Sequence, residues 1–201
     1  MARPFRQQAD AEILDHASTL FAQHGFAQTS LKAVADAVGL SKAGLLHHFP
    51  TKEALYTAAL EVAREQGRRV LDRLAALPPG RERDLRALEL LTDIALDRPG
   101  LVALAFRTVT TPDAEPALDA EDMFVSKIFA VDTAVDAVAA DPPERVVRVI
   151  GALSALAVLT LAANEHGEKT AWRPLIIATC ADALGHRSPS PATSRHDQVE
   201  A

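Results

Sequence analysis

The sequence predicts an all-α protein, and three observations support this fold class. Apolar residues recur at intervals of three and four along most of the 201 residues, which is the spacing of one helix face. Serine, threonine, glycine and proline stand between these stretches, where helices begin and end. No stretch shows the alternation of apolar and polar residues that is typical of a strand. The composition, 48% hydrophobic and 24% charged, is that of a globular protein.

Four helices are predicted in the first part of the chain. Their bounds are about Gln7 to Gly25, Ser30 to Gly39, Ser41 to Phe49 and Lys52 to Leu77. Thr29 or Ser30 can cap the second helix, and Gly39 can take the left-handed conformation that a tight turn needs. The fourth helix is long enough to connect the N-terminal helices to the rest of the chain, and we expect it to act as a rigid lever.

Five further helices are predicted beyond Pro78-Pro79-Gly80. Their bounds are about 81–97, 101–110, 118–140, 143–163 and 171–184, with an acidic loop after Thr110. Residues 186–201 hold serine, proline and charge with almost nothing to bury, which predicts a disordered tail.

The charge is distributed unevenly along the chain. The net charge is −6, but residues 1–52 carry +1 and residues 53–201 carry −7. Any contact with a polyanion such as nucleic acid is therefore expected in the N-terminal part of the chain.

The second and third predicted helices have the proportions of a helix-turn-helix. Each is short, capped and apolar on one side, and Gly39-Leu40 forms the turn between them. In a helix-turn-helix the second of the two helices enters the major groove of DNA. Helix pairs of this size also occur as plain packing units, so the spacing alone leaves both interpretations open.

A longer pattern surrounds this pair. The chain contains GFAQTSLKAVA at 25–35, VGLSK at 38–42 and TKEAL at 51–55, with Leu45 and His48-Phe49 between them. This pattern, over residues 10–56, resembles the DNA-binding module of the TetR family of transcriptional regulators. The resemblance implies a DNA-binding domain at 1–51, a helical effector-binding and dimerisation domain at 52–185, and the tail at 186–201. It also implies a homodimer, usually a repressor, that binds a double-stranded DNA operator and is released by a small-molecule effector.

The resemblance assigns roles to individual residues. It places Ser30, Lys32, His48 and Lys52 beside phosphates. The exposed side of the third helix, which Ser41 caps, is expected to face the groove with Lys42, Ala43, Gly44, Leu46, His47 and His48. Lys42 can donate to guanine, and His47 is the second expected base reader. Leu46 stands where the family commonly has an aromatic residue, often tyrosine, and offers only an apolar contact.

The helix predicted at 143–163 is apolar on nearly every side. We expect it to form a four-helix bundle between two chains together with the last helix, which begins near Trp172. The alternative is that both helices fill the centre of a monomer.

Polar and aromatic residues within apolar stretches are candidates for an effector cavity. They are Gln66, Phe106, Arg107, Thr110, Phe124, Phe129 and Trp172. Only four of the nine aromatic residues lie beyond Tyr56, which favours an aliphatic pocket for a lipid-like or acidic molecule over a cage of rings. Arg107 can meet a ligand carboxylate or pair with the acidic loop that follows it.

Several function classes are excluded or disfavoured. The chain has no HExxH, no Gly-rich phosphate loop and no nucleophile elbow, so neither an enzyme nor a cofactor or metal site is expected. The single Cys180 and the absence of a signal-peptide pattern predict a cytoplasmic protein, and the apolar run 149–163 is too short to span a membrane comfortably. Two alternatives remain, a helical small-molecule carrier without DNA binding and a helix-turn-helix protein without an effector.

Overall fold

The computed structural model describes residues 3–110, 124–131 and 144–186, and all regular secondary structure in these ranges is helical. The helices are α1 (Arg3–Gln28), α2 (Leu31–Ala37), α3 (Lys42–His48), α4 (Lys52–Leu74), α5 (Arg81–Asp97), α6 (Pro99–Thr110), α7 (Phe124–Phe129), α8 (Glu144–Glu165) and α9 (Lys169–Ala183). The all-α class predicted from the sequence is confirmed.

The first apolar core lies among α1, α2, α3 and the first half of α4. Its buried residues are Ile13, Leu14, Ala17, Phe21, Val34, Ala35, Leu45, Leu55, Tyr56, Ala59 and Leu60, joined by Leu104 of α6. The ring of Tyr56 meets Phe21 and Phe26 edge to face, with centroids 4.9 and 5.1 Å away. Because Leu104 completes this core, α6 packs against the N-terminal module.

The second core joins the last part of α4 to α5, α7, α8 and α9. Val70 and Leu74 of α4 belong to it, as do Ile128 and Phe129 of α7. The two cores therefore meet within α4, between Leu60 and Val70. The predicted boundary after residue 51 marks the end of the helix-turn-helix, whereas α4 is shared by both packing units.

Some helix ends differ from the predicted ones. Helix α1 already includes Arg3, and at its predicted end, Gly25, the backbone leaves the helical conformation (φ 80°, ψ 163°) before a short helical stretch to Gln28. Helix α4 ends at Leu74 rather than Leu77. The Arg83 guanidinium explains the early end, because it donates to the carbonyls of Leu74 at 2.7 Å and Leu77 at 2.9 Å.

The prediction of one continuous helix over 118–140 is wrong. Helix α7 ends at Phe129, Ala130 takes a positive φ of 51°, and the Val131 amide donates to the Ser126 carbonyl at 2.9 Å. Arg83 and Arg145 donate to the carbonyls of residues 127 to 129, which satisfies the end of the helix. The remainder of this predicted helix, the acidic loop and the predicted tail beyond His186 lie outside the described residues.

A buried carboxylate ties the start of α5 to two other elements. Asp84 is 1% exposed and accepts two hydrogen bonds from the Arg145 guanidinium of α8, at 2.7 and 2.8 Å. His186, just beyond α9, lies 2.6 Å from the same carboxylate. A buried charge needs such partners, so this cluster fixes the ends of three helices together.

Candidate nucleic-acid interface

The helix-turn-helix is built from two capped helices and one glycine turn. Ser30 Oγ accepts from the Ala33 amide at 3.1 Å, and Ser41 Oγ accepts from the Gly44 amide at 3.0 Å. Gly39 between them has φ 69°, as the turn requires. The predicted caps Ser30 and Ser41 and the glycine turn are confirmed. Thr29 is not the cap, because it is buried and its hydroxyl donates to the Gly25 carbonyl at 2.8 Å.

Helix α3 presents one side to the exterior. Leu45 is buried in the first core, while Gly44, Leu46 and His48 are half-buried. The exposed residues are Ser41, Lys42, Ala43 and His47. The side chains predicted to meet base edges are thus on the free side of a helix whose opposite side is anchored, the arrangement that major-groove entry requires.

Two of the residues predicted beside phosphates already have partners. Lys32 is exposed and pairs with Asp36 at 2.7 Å, an exchangeable surface contact. Lys52 donates to the carbonyls of Phe26 at 2.8 Å and Ala27 at 3.2 Å, and its ammonium lies 4.4 Å from the centre of the Phe26 ring. Lys52 therefore satisfies the end of α1. An ammonium has three hydrogens, so one remains for a phosphate.

His48 is held from the side of α1. Its Nδ1 lies 2.6 Å from Oδ1 of Asp10, and both side chains are partly covered, with 19% and 33% exposed. The sequence-based reasoning missed Asp10. The two residues are 38 positions apart, and nothing in the local pattern links them.

Comparisons with known proteins bear on the same stretch. Residues 13–59 match the profile of the bacterial regulatory proteins of the tetR family. The chain is 50% identical over 48 residues to the HTH-type transcriptional regulator RutR of Escherichia coli, covering 24% of this chain and 23% of RutR. It is 46% identical over 44 residues to the HTH-type transcriptional repressor KstR2 of Rhodococcus jostii, covering 22% of each.

The fold likeness extends further. The crystal structure of a TetR-like transcriptional regulator from a Rhodococcus species superposes over 93% of this chain and 100% of its own, with a TM-score of 0.54 at 19% identity. The N-terminal module, over residues 13–59, is of the TetR-family type. The sequence matches to RutR and KstR2 span less than a quarter of each relative, so they concern the N-terminal module.

Three of the residues predicted to line an effector cavity lie in or against the second core, namely Phe124, Phe129 and Trp172. Phe124 lies against α4, where its Cγ is 2.5 Å from the position of a Cβ atom built on Gly67, next to Gln66. Phe129 is fully buried near the start of α5, where Arg145 binds its carbonyl. Trp172 has its ring centre 5.7 Å from that of His166, and the adjacent Arg173 pairs with Asp93 of α5. The side chain of Thr110 lies outside the part of the chain that the structure describes.

Arg107 and Phe106 are half-buried residues of α6, and Arg107 is directed at the N-terminal module. Arg107 donates to the Ala22 carbonyl of α1 at 3.1 Å. Burial raises the pKa of the Tyr56 hydroxyl, and the positive charge of Arg107 partly offsets this shift. This arginine therefore stands at the junction of α6 with α1 and Tyr56.

A second contact joins α6 to α1. The Asp15 carboxylate accepts from the amides of Gly100 at 3.1 Å and Leu101 at 3.3 Å, at the start of α6. The contacts at Asp15 and Ala22 lie about two turns apart on α1, as do those at Gly100 and Arg107 on α6. Helix α6 therefore makes a second connection between the module and the rest of the chain, beside the α4 lever predicted from the sequence.

Among the described residues, the large apolar side chains that stay exposed lie on α8 and α9. Val147, Ile150 and Val158 of α8 are 54%, 48% and 62% exposed, and Leu175 of α9 is 64% exposed. A Cβ atom at Gly151 on α8 would meet nothing within 4 Å. By length and composition α8 could also cross a membrane, with a mean hydropathy of 2.2, but it packs on α5, α6 and α9.

Among the described residues, no group of three or more His, Cys, Asp or Glu side chains is placed to hold a metal ion.

Proposed function

We propose that the protein is a dimeric, sequence-specific DNA-binding transcriptional regulator of the cytoplasm that represses its target until a small, mostly apolar effector releases it from a palindromic operator. The observation that carries the proposal is the helix-turn-helix, in which α3 is anchored by Leu45 and exposes Lys42, Ala43 and His47 on its free side.

Charge and capping support the DNA contact. Ser30 and Ser41 use oxygen lone pairs to cap their helices, which leaves each hydroxyl hydrogen for a phosphate. The excess negative charge lies in residues 53–201, so this part of the surface is repelled by DNA phosphates.

The apolar face of α8 and α9 supports the dimer. One recognition helix reads too few bases for useful selectivity, and two-fold symmetry doubles the site. Val147, Ile150, Val158 and Leu175 are large apolar side chains that a second copy of the same face would cover.

The first experiment tests DNA binding. The purified chain is mixed with a pool of random duplexes, and the retained DNA is sequenced. Two related half-sites are expected, with centres about 10 base pairs or a multiple apart. Lys42→Ala should weaken binding to the selected duplex about tenfold and relax one base position. Lys127→Ala, an equal charge change on α7, is the control and should bind like the parent. Retention of no duplex would favour the carrier alternative.

The second experiment tests the dimer. Val158→Glu places a charge in the proposed interface and should yield a monomer in analytical ultracentrifugation, with the helical circular dichroism retained. Ala76→Glu, at an exposed position after α4, is the matched control and should remain dimeric. A dimeric Val158→Glu protein would rule out this interface.

Effector control is proposed to act where α7 crosses α4, with a ligand that moves Phe124 away from Gly67. A ligand that enters beside Gln66 and Phe124 would displace α4 and, through α6, the Asp15 and Arg107 contacts to α1. A preference of about 3 kcal/mol for the released geometry lowers operator affinity more than a hundredfold. Decanoate, which combines an aliphatic chain with a carboxylate, is the probe. It should release operator from the parent chain but not from Gln66→Trp, whose larger side chain would obstruct entry beside Phe124. An equal response from both would place the effector elsewhere.

A further inference from the structure

The contact between His48 and Asp10 restricts what His48 can offer to DNA. A carboxylate can only accept a hydrogen bond, so the 2.6 Å contact requires the hydrogen to be on Nδ1. In a neutral imidazole the other nitrogen, Nε2, then carries a lone pair and no hydrogen. Nε2 becomes a donor only when the ring is protonated.

A DNA phosphate accepts hydrogen bonds and donates none. A neutral His48 held by Asp10 would therefore turn a lone pair toward it, whereas a protonated ring offers Nε2–H and a positive charge. Resting on the proposed function and on the phosphate contact that the family resemblance implies for His48, we propose that Asp10 is a positioning residue that makes this contact depend on protonation, so that operator binding takes up a proton at His48.

The surrounding charges leave Asp10 as the partner that decides the ring's hydrogen. Lys32 and Asp36 of α2 pair with each other, and Lys52 of α4 binds the end of α1. Glu12 of α1 and Glu53 of α4 are exposed, and neither makes an ion pair with His48 among the described residues. His47 on α3 is its neighbour, with ring centroids 6.1 Å apart, and is itself exposed.

Operator affinity is expected to fall as the pH rises. The complex favours the protonated ring more strongly than the free protein does, so affinity is greatest at low pH and is lost as the pH rises and the ring in the complex deprotonates. The test measures operator affinity by fluorescence anisotropy at constant ionic strength between about pH 5 and pH 8, where histidines titrate. The parent chain should lose about tenfold more affinity over this range than His48→Ala, the value of one charge-assisted hydrogen bond.

Asp10→Asn tests whether Asp10 acts by holding the hydrogen on Nδ1 of His48 or only by its negative charge. An asparagine amide can donate to Nδ1, which lets a neutral ring carry its hydrogen on Nε2 and donate to phosphate without taking up a proton. This variant should bind at least as well as the parent at high pH and lose the His48-dependent part of the pH profile. Glu12→Gln, the same charge change two residues away, should raise affinity equally at every pH and keep the slope. Any dependence common to all variants belongs to other titrating groups, such as the exposed His16, His24, His47 and His166.

The free protein offers a second measurement. Imidazole ¹⁵N shifts, with His48 assigned by its absence in His48→Ala, should show the Nδ1–H form in the parent at high pH. An Nε2–H form, or an Asp10→Asn protein with the parent's pH slope, overturns the inference while DNA binding stands. If the parent binds no duplex at any pH, the proposed function fails and the proton uptake fails with it, whereas the ¹⁵N shifts still decide whether Asp10 fixes the ring.

Discussion

Gly100 and Asp15 bring α6 and α1 into backbone contact. The Gly100 amide donates to the Asp15 carboxylate at 3.1 Å, and a Cβ atom on Gly100 would collide with the main-chain carbonyl of Asp15. Only glycine permits this approach without a shift of one helix. The contact joins an element of the larger domain to the helix on which the DNA-binding module is built.

Gly100→Ala is therefore expected to separate the two helices and destabilise the protein by about 1–3 kcal/mol, because the obstructing atoms are backbone and cannot rotate away. Gly151→Ala is the matched control. Its Cβ would meet nothing within 4 Å, so the better helix propensity of alanine should raise stability by up to about 1 kcal/mol. Denaturant unfolding of both variants measures the difference, and equal effects would show that the Gly100 contact is not tight.

Asp15 should make stability depend on pH. Burial raises the pKa of its carboxyl, and the hydrogen bonds from Leu101 and Gly100 only partly oppose this. A pKa raised in the folded state favours the protonated form, so its contribution to stability is present below the unfolded pKa and is lost as the pH rises through the folded pKa.

Asp15→Asn keeps an oxygen acceptor for the two amides without the charge. Relative to the parent it should therefore gain stability between acid and neutral pH, measured as unfolding free energies across this range. Asp15→Ala removes the acceptor and should lower stability throughout. A parent-minus-Asn difference that does not change with pH would show that the carboxyl does not titrate abnormally.

The sequence predicted the parts of this fold that local patterns control. The caps Ser30 and Ser41 and the turn at Gly39 depend on residues within three positions of one another. The end of α7 could not be predicted in this way, because no glycine or proline marks it. It depends on Arg83 and Arg145, which reach the carbonyls of residues 127 to 129 from other helices.

The features of the candidate site likewise fall into those that local patterns predict and those that depend on tertiary packing. The exposed side of α3 follows from helix periodicity and the family resemblance. Asp10 beside His48 and Arg107 against Ala22 depend on tertiary packing over 38 and 85 positions. The effector residues were predicted as polar or aromatic side chains within apolar stretches. This criterion does not show which helices pack together.

Thr92 offers a test of core energetics. It is 0% exposed, and its hydroxyl is the one buried side-chain polar atom without a hydrogen-bond partner among the described residues. Thr92→Val replaces the hydroxyl with a methyl group of similar size and should stabilise the protein by about 1 kcal/mol. Thr160→Val is the matched control at another buried threonine, whose hydroxyl donates to the Leu156 carbonyl at 2.7 Å. It should be neutral or destabilising by about 1 kcal/mol. Destabilisation by Thr92→Val would indicate a bound water at that hydroxyl.

Helices α4 and α7 cross closely because Gly67 of α4 has no side chain. A Cβ atom on Gly67 would lie 2.5 Å from Cγ and 2.6 Å from Cδ2 of Phe124, well inside van der Waals contact. Gly67→Ala should therefore push the ring away and cost about 1–3 kcal/mol, despite the better helix propensity of alanine. Phe124→Ala removes the obstructing ring, and the double variant should recover most of the cost of Gly67→Ala. Unfolding free energies of the four proteins form a double-mutant cycle, whose coupling is expected to exceed about 1 kcal/mol. The same four proteins also test effector control of operator binding, because a ligand that enters at this crossing must move Phe124. Gly67→Ala should then shift the decanoate concentration needed for operator release, while operator affinity without decanoate stays within about threefold of the parent. Additive unfolding energies together with an unchanged decanoate response would remove this crossing from the proposed effector path.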